Sequence, residues 1–149
     1  MTIDPMKRAL ELAELASIKN EVPVGAVITH KGEIIAEAHN TKEADQMATK
    51  HAEMIAIDQA SQKLGAWRLN ECELYVTLEP CLMCAGALVQ ARIGRVFFAT
   101  KDPKGGAVTS LYNFFDDERL NHQPQWSCGD HEQEASKLLK DFFKERRLK

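Results

Sequence analysis

Hydrophobic residues recur along the chain at two spacings, one typical of helices and one typical of strands. Asp4 followed by Pro5 indicates a helix start. The residues at helical spacing on one side of this first helix are Met6, Leu10, Ala13 and Ser17. The runs Val22–Ile28 and Glu33–Ala38 favour strands. Because the turn pair Lys31-Gly32 separates them, they predict a β-hairpin.

The middle of the chain changes between unpatterned, helical and strand-like segments. His39 to Lys50 is polar and without a pattern, which predicts a loop. A helix follows from about His51 to Leu64 and is closed by Gly65. Apolar residues then alternate in Glu73–Leu78, which predicts a strand, and a helix of small residues runs from Cys81 to Ala91.

The last third of the chain continues this alternation. A strand at Arg95–Thr100, a glycine-rich loop at Asp102–Ala107 and a short strand at Gln125–Ser127 are predicted. A final helix runs from about His131 to Arg147, and its apolar side carries Leu138, Leu139, Phe142 and Phe143. Strands alternating with helices indicate an α/β fold, and the initial hairpin makes its sheet mixed. We expect three layers, α/β/α, around a central mixed sheet of about five strands.

Composition fits this fold and excludes several classes. The chain has 149 residues, 44% of them hydrophobic, which suits a single domain over residues 1–149. A net charge of -3 argues against a generally basic surface, although a local basic patch is compatible with it. The N-terminal residues do not resemble a signal peptide, and no segment is apolar enough for a membrane span. We therefore expect a cytoplasmic protein.

Two short motifs supply candidate metal ligands. Cys81 and Cys84 lie three residues apart at a helix start, where free N–H groups and the positive helix end favour thiolates. In a reducing compartment such a pair is metal-binding or redox-active rather than a disulfide. With His51 it forms a soft three-ligand set that suits one tetrahedral Zn2+ with an open position. A structural zinc site would need a fourth ligand, such as Cys72, Cys128 or another histidine.

Glu53 is the candidate proton shuttle, two residues after His51 at the start of the same helix. Zinc lowers the pKa of a bound water towards roughly 7. Glu53 is placed to take a proton from that water and deliver it to a ring nitrogen and then to the leaving amine. His51-Ala52-Glu53 and Pro80 to Cys84 match the H-x-E and P-C-x-x-C signature of zinc deaminases. Together the motifs predict hydrolytic deamination of a nucleobase.

Beyond these motifs the sequence resembles the bacterial tRNA-specific adenosine deaminases over nearly its whole length. The matching segments are Glu21 to Ala26, His39-Asn40, His51 to Met54, Tyr75 to Ala87, Gln90 to Ile93, Lys101 to Ala107 and Arg119 to His122. The resemblance implies a cytidine deaminase-like fold, one zinc per subunit and a homodimer. It implies that adenosine is converted to inosine at the wobble position, with a tRNA anticodon stem-loop as the partner.

The same resemblance implies substrate contacts. Asn40 is expected to hydrogen-bond the flipped base or its ribose, Val24 to pack on the purine, and the backbone around Ala52 to read the ring. Asp102 and Lys104 resemble a pair that contacts the anticodon loop near the target nucleotide. Without the resemblance, Asn40 is typical of a turn, and the other two are typical of solvated charges in a Pro-Gly loop.

The C-terminal helix concentrates positive charge. Its basic residues are Lys137, Lys140, Lys144, Arg146, Arg147 and Lys149. Such a run is usually a solvated helix face, but in an RNA-binding protein it forms a phosphate-binding patch, here with Arg146 among the contacts. Phe143 has two interpretations, stacking on a base of the RNA loop or packing in the core.

The chain departs from the family pattern in the loop before His51. Ala48-Thr49-Lys50 stands in place of a common Pro-Thr-Ala, and Thr41-Lys42 stands where an Arg is common. Lys42 or Lys50 is a candidate replacement contact to phosphate.

Two alternative functions stay open from the sequence. Deaminases of free guanine or cytidine share the zinc motifs, so these motifs fix the reaction but not the base. The second alternative is a non-enzymatic, zinc-stabilised RNA-binding module, in which Glu53 would have no catalytic role.

Overall fold

The structure is a computed structural model that describes residues 3–147. Its first helix, α1, spans Pro5–Ile18. Asp4 caps it, because Oδ1 accepts hydrogen bonds from the N–H of Met6 at 3.0 Å and of Lys7 at 3.4 Å. The sequence-based start of this helix is therefore confirmed.

The predicted hairpin is formed by β1, Gly25–His30, and β2, Glu33–His39. Lys31 and Gly32 both have positive φ, which a two-residue turn between twisted strands requires. The prediction that the first strand begins at Val22 is wrong. Pro23 has no N–H to donate, and the N–H of Val24 bonds to the carbonyl of Val22 at 2.8 Å, so the ladder begins only at Gly25.

The segment between β2 and the next long helix is not only a loop. It contains a short helix, α2, at Lys42–Asp45. The long helix α3 spans Ala52–Leu64, with His51 at its N-cap and Gly65 in the left-handed conformation after its last turn. The polar pattern did not predict α2, because its hydrogen-bond partner, Glu21, is distant in sequence.

The remaining elements follow the predicted order. Strand β3 spans Cys72–Leu78, and helix α4 spans Leu82–Gln90 with Cys81 at its N-cap. Strands β4 and β5 span Arg95–Thr100 and Gln125–Cys128. A short 3-10 helix at Phe114–Asp116, which was not predicted, precedes β5, and helix α5 spans Glu132–Arg147.

The five strands form one mixed sheet in the order β2-β1-β3-β4-β5. Strand β1 is antiparallel to both of its neighbours, whereas β3, β4 and β5 are parallel. Helices α1 and α5 pack on one face and α3 and α4 on the other. This is the expected three-layer α/β/α fold. Its single-domain organisation over residues 1–149 stays a prediction.

The core divides between the two faces of the sheet. Adjacent residues of β1 point to opposite sides, so Val27 packs with α1 and α5 while Ile28 packs with α3 and α4. Gly25 lies directly against α1, where an added Cβ would be 1.9 Å from the carbonyl oxygen of Ala9. The sheet and α1 are therefore in backbone contact at the strand end that leads into the candidate site.

Helix α5 differs from its prediction in one side chain. Phe142 is buried, but Phe143 is 47% exposed. The core interpretation of Phe143 is therefore wrong, because the apolar stripe of α5 is narrower than the sequence suggested.

Across residues 3–147 there is no helix long and apolar enough to traverse a membrane.

Candidate active site

Two helix N-termini bring the three predicted metal ligands together. His51 is the N-cap of α3, Cys81 is the N-cap of α4, and Cys84 lies in the first turn of α4. The Nδ1 atom of His51 is 3.6 Å from Cys81 Sγ and 3.5 Å from Cys84 Sγ. One imidazole nitrogen and two sulfurs thus surround a common point.

The chemistry of this donor set fits a metal of zinc type. Thiolate and imidazole are ligands that Zn2+ prefers, and three of them leave a position for water or substrate. Within residues 3–147 no fourth His, Cys, Asp or Glu joins the group. Cys72 is buried in the core and Cys128 is exposed on β5, so neither of them completes a structural site.

Local hydrogen bonds prepare Cys81 to act as a ligand. Bonds from Cys84 and His51 outweigh the effect of burial and lower the pKa of the Cys81 thiol to about 4. Cys81 is consequently a thiolate near neutral pH, which is the form that binds a metal. The bond to Cys81 together with burial raises the pKa of Cys84.

Glu53 lies in the first turn of α3 and borders the same cavity as His51 and Cys81. The cavity has a volume of about 230 Å³. Only 4% of Glu53 is exposed, and this burial raises the pKa of its carboxyl group to about 7. A carboxyl group with a pKa near the working pH can both accept and return a proton, as a shuttle must.

Asn40 connects this cavity to the helix that carries His51 and Glu53. Its Oδ1 accepts a hydrogen bond from the N–H of Ala52 at 2.8 Å, and its Nδ2 donates to the carbonyl of Val22 at 3.2 Å. One amide hydrogen and one lone pair of the side chain remain for a ligand. The role of Asn40 towards a substrate stays a prediction.

Two more predicted contacts lie at or beneath the same cavity. Val24 is buried and borders it. Ala52 is fully buried, and its N–H already donates to Asn40, so a base could be read there only through other backbone groups. Of the two candidate replacement lysines, Lys42 borders the cavity. Lys50 is not among its lining residues.

A groove of about 1080 Å³ adjoins the cavity, between α5 and the loop after β4. The residues that line only the groove include Lys101, Pro103, Lys104, Leu139, Lys140, Phe143 and Arg147. Asp102 and Arg146 border both spaces. The structure thus brings Asp102, Lys104, Phe143 and Arg146 to one groove, which opens on the side of the catalytic cavity.

The placement of Arg146 is set by neighbours within the chain. Its Nη2 donates to the carbonyl of Asn20 at 2.8 Å, and its guanidinium lies 4.8 Å from the ring centroid of Phe142. Arg146 thereby joins the end of α5 to the segment after α1. Lys149, counted above in the basic run, lies outside the described residues.

Two buried carboxylates at the site were missed by the sequence analysis. Glu21 accepts hydrogen bonds from the N–H groups of Glu43 at 2.9 Å and Ala44 at 2.8 Å, which fixes α2 beside the cavity. Glu79 is 2% exposed. Burial favours a higher pKa for Glu79, but hydrogen bonds from Ser110, Thr109 and Asp102 lower it. The only local signal was a Glu at the end of a buried strand, directly before Pro80.

Comparison with known proteins agrees with this fold and site. The family model for MafB19-like deaminases matches residues 2–147. The fold and the His-Cys-Cys group with its buried glutamate thus define a deaminase of the cytidine deaminase-like class. The tRNA-specific adenosine deaminase of Bacillus subtilis (strain 168) is 50% identical over 144 residues, which cover 97% of this chain and 89% of the relative. The chain belongs to the tRNA-specific adenosine deaminase family.

Solved structures distinguish this family from its relatives. A structure from a study of A-to-I editing by tRNA:A34 deaminases at the wobble position of transfer RNA has 42% identity and a TM-score of 0.88. The match covers 91% of this chain and 98% of that one. The guanine deaminase of Bacillus subtilis has 35% identity and a TM-score of 0.63, with coverage of 83% and 82%. The similarity is therefore greater to the tRNA deaminase.

Proposed function

We propose that this enzyme hydrolyses adenosine to inosine at the wobble position of a tRNA anticodon. The observation that carries the proposal is the continuity of two spaces. His51, Cys81 and Glu53 line a small cavity, and a larger basic groove shares Asp102 and Arg146 with it. The cavity suits one flipped base, and the groove suits the nucleotides on either side of it.

His51, Cys81 and Cys84 would hold one Zn2+ per subunit. The support is the donor set, two sulfurs and an imidazole nitrogen without a fourth protein ligand in the described part of the chain. When bound, zinc supplies a Lewis acid that makes water a nucleophile near neutral pH.

Glu53 moves the protons of the reaction. Hydrolysis forms a bond from a water oxygen to C6 of adenine and breaks the bond from C6 to the exocyclic nitrogen, which leaves as ammonia. Glu53 accepts one proton from water and gives it to ring nitrogen N1. It then takes the remaining proton of the attacking oxygen and gives it to the leaving amine, so that the product keeps N1–H and a C6 carbonyl. Its burial keeps bulk water away from these transfers.

The groove favours RNA over a free base as substrate. Its cations, Lys101, Lys104, Lys140 and Arg147, suit phosphates, and Phe143 offers an exposed ring for stacking. A free guanine or cytidine would fill only the cavity and would make no contact with the groove. A tRNA substrate implies a cytoplasmic location, which is part of the proposal.

A second copy of the chain is the proposed protein partner. Leu82 is 47%, Leu111 53% and Tyr112 53% exposed. They lie on neighbouring segments, since Gly106 bridges to Cys81 and its carbonyl accepts from the N–H of Leu111 at 2.9 Å. Burying such an apolar group in a homodimer interface would stabilise the pair.

Sedimentation equilibrium tests the dimer. The wild-type protein should sediment as a dimer, and Leu82→Arg should weaken it because a charge would enter the interface. Ile18→Arg is the matched control, since Ile18 is 78% exposed at the end of α1, which packs on the face of the sheet opposite α4. A monomeric wild-type protein contradicts the proposal.

Inosine formation tests the activity. Zinc-loaded protein is incubated with an anticodon stem-loop that carries adenosine at the wobble position, and with free adenosine, guanine and cytidine. We expect inosine only in the RNA and only at that position. Deamination of guanine or cytidine with unchanged RNA would overturn the substrate assignment.

Charge variants on α5 test the groove without removing the helix, whose Phe142 is buried. The double variant Lys140→Glu with Arg147→Glu should raise the KM for the stem-loop, since both residues line the groove. Lys137→Glu is the control on the same helix, because Lys137 pairs with Asp141 at 2.6 Å and is not among the groove residues. Equal effects of the two changes would contradict the proposed RNA path.

A further inference from the structure

Glu79 is a buried carboxylate that receives hydrogen bonds from a single loop. Its Oε2 accepts from the N–H groups of Val108 at 3.0 Å, Thr109 at 2.9 Å and Ser110 at 3.0 Å. Its Oε1 accepts from the N–H of Asp102 at 3.0 Å and from the hydroxyl of Ser110. Within the described residues, all the hydrogen bonds of this side chain are thus with the segment 102–110 that begins with Asp102.

The loop packs on the carboxylate without space between them. A Cβ at Gly106 would lie 2.2 Å from the Glu79 carboxyl carbon, so any other residue there would displace the carboxylate from its hydrogen bonds. The N–H of Ala107 donates to the carbonyl of Pro80 at 2.9 Å, and Gly106 pairs with Cys81 in an isolated bridge. The loop is therefore attached to the same three residues, 79–81, that end in a metal ligand.

Glu79 holds the backbone of Asp102, whereas the turn that follows Asp102 is closed by the Asp102 side chain. The Oδ1 of Asp102 accepts from the N–H groups of Lys104 at 3.0 Å and Gly105 at 3.1 Å, which closes a local turn. The N–H of Asp102 itself is held by Glu79 at 3.0 Å. Asp102 also borders both the catalytic cavity and the groove.

We propose that Glu79 is a positioning residue that sets the distance and orientation of Asp102 relative to the metal ligands, and thereby aligns the RNA with the catalytic cavity. Glu79 also borders the cavity, but its carboxylate oxygens are turned to the loop and engaged by its hydrogen bonds, so we assign it a positioning role and not a catalytic one. This inference rests on the proposed function, in which the loop of Asp102 and Lys104 meets the nucleotides around the target.

The substitution Glu79→Gln separates the Asp102 bond from the others. The amide oxygen of Gln can take the place of Oε2 and accept from the three N–H groups at 108–110. Its NH2 group then faces the N–H of Asp102, which is also a donor, while the Ser110 hydroxyl can turn and accept. The variant therefore keeps the hydrogen bonds to residues 108–110 but loses the hydrogen bond to the N–H of Asp102.

A double-mutant cycle on kcat/KM for the stem-loop tests the proposal. Glu79→Gln should lower kcat/KM on the order of tenfold to a hundredfold, as expected for a misplaced substrate contact. In an Asp102→Ala background the same change should cost less than about threefold, because no side chain is left to position. Ser110→Ala is the matched control, with an expected effect below about threefold, since it removes one bond to Glu79 and leaves the N–H of Asp102 in place.

Equal fold-losses for Glu79→Gln in the two backgrounds would overturn the proposal, because they indicate general support of the fold. So would a negligible loss in the wild-type background. If the variant does not fold, amide hydrogen exchange of the wild-type holoenzyme tests the same contact. The Asp102 amide should be as protected as the Thr109 amide. Free exchange at Asp102 would show that Glu79 does not hold this amide and would overturn the proposal. A wild-type enzyme that leaves the stem-loop unedited would instead refute the proposed function.

Discussion

The side-chain oxygen of Asn40 accepts a hydrogen bond from the N–H of Ala52 at 2.8 Å, so a residue twelve positions earlier caps helix α3. His51 is at the N-cap position but makes no side-chain capping bond. Its imidazole faces Cys81 and Cys84 instead. The orientation of the His51 ring towards the two cysteines thus leaves the helix without a local cap, and Asn40 supplies one.

Asn40→Ala is expected to lower the free energy of unfolding by about 1–3 kcal/mol, because the N–H of Ala52 and the carbonyl of Val22 would lose their partner. Turnover should also fall, since the start of α3 carries His51 and Glu53. Urea unfolding of the zinc-loaded protein measures the first effect. Asn40→Asp keeps an acceptor for Ala52 and serves as the comparison. An unchanged stability in Asn40→Ala would show that the cap is not needed.

Glu53→Ala and Cys84→Ala should separate the proton shuttle from the metal site. We expect Glu53→Ala to retain zinc and lose turnover by about 10²–10⁴-fold, the usual contribution of a general acid-base group. Cys84→Ala should lose both zinc and turnover, because two ligands hold the metal weakly. Zinc content is measured beside inosine formation. Full activity of Glu53→Ala would favour a role without catalysis.

Phe143→Ala should weaken binding of the stem-loop by about 1–3 kcal/mol if its exposed ring stacks on a base. Stability should be nearly unchanged, because Phe143 is 47% exposed. The binding constant is measured with RNA in the inactive Glu53→Ala background. Trp67→Ala is the control, since Trp67 is 58% exposed and is not among the groove residues. Equal losses in both variants would indicate a non-specific effect.

His131 should make stability depend on pH. Its Nδ1 lies 3.0 Å from Glu134 and its Nε2 lies 3.0 Å from Asp4, which joins the starts of α5 and α1. Hydrogen bonds to Glu134 and Asp4 raise the pKa of His131 above its usual 6.5. Because the folded-state pKa is the higher one, the stabilisation is complete just below pH 6.5, where the partner carboxylates are still ionised, and is lost as the pH rises through the folded-state pKa.

The measurement is the free energy of unfolding of the wild type and of His131→Asn across this pH range. Asn tolerates the left-handed backbone at this position, where φ is 60°, and does not titrate. The difference between the two proteins should be roughly 0.2–1 kcal/mol just below pH 6.5, as is usual for exposed ion pairs, and should shrink as the pH rises. A constant difference would show that the charge of His131 contributes nothing.

Local signals in the sequence determined the elements and the chemistry of this protein. Asp4-Pro5 specified the start of α1, and Lys31-Gly32 specified the hairpin turn, because caps and turns depend on neighbouring residues. The spacing of Cys81 and Cys84 at a helix start, with His51 before another helix, indicated the metal-binding group. These features need no knowledge of how the chain folds back on itself.

Tertiary structure alone decided how distant segments meet. The sheet register brings His51 to cysteines 30 and 33 residues away, and it places Glu79 beneath a loop 23 to 31 residues later. The exposure of Phe143 depends on how α5 lies on the sheet, which the pattern of one helix does not specify. The physical reason is that hydrogen-bond partners distant in sequence are chosen by packing and register, whereas caps, turns and periodicity are encoded in neighbouring residues.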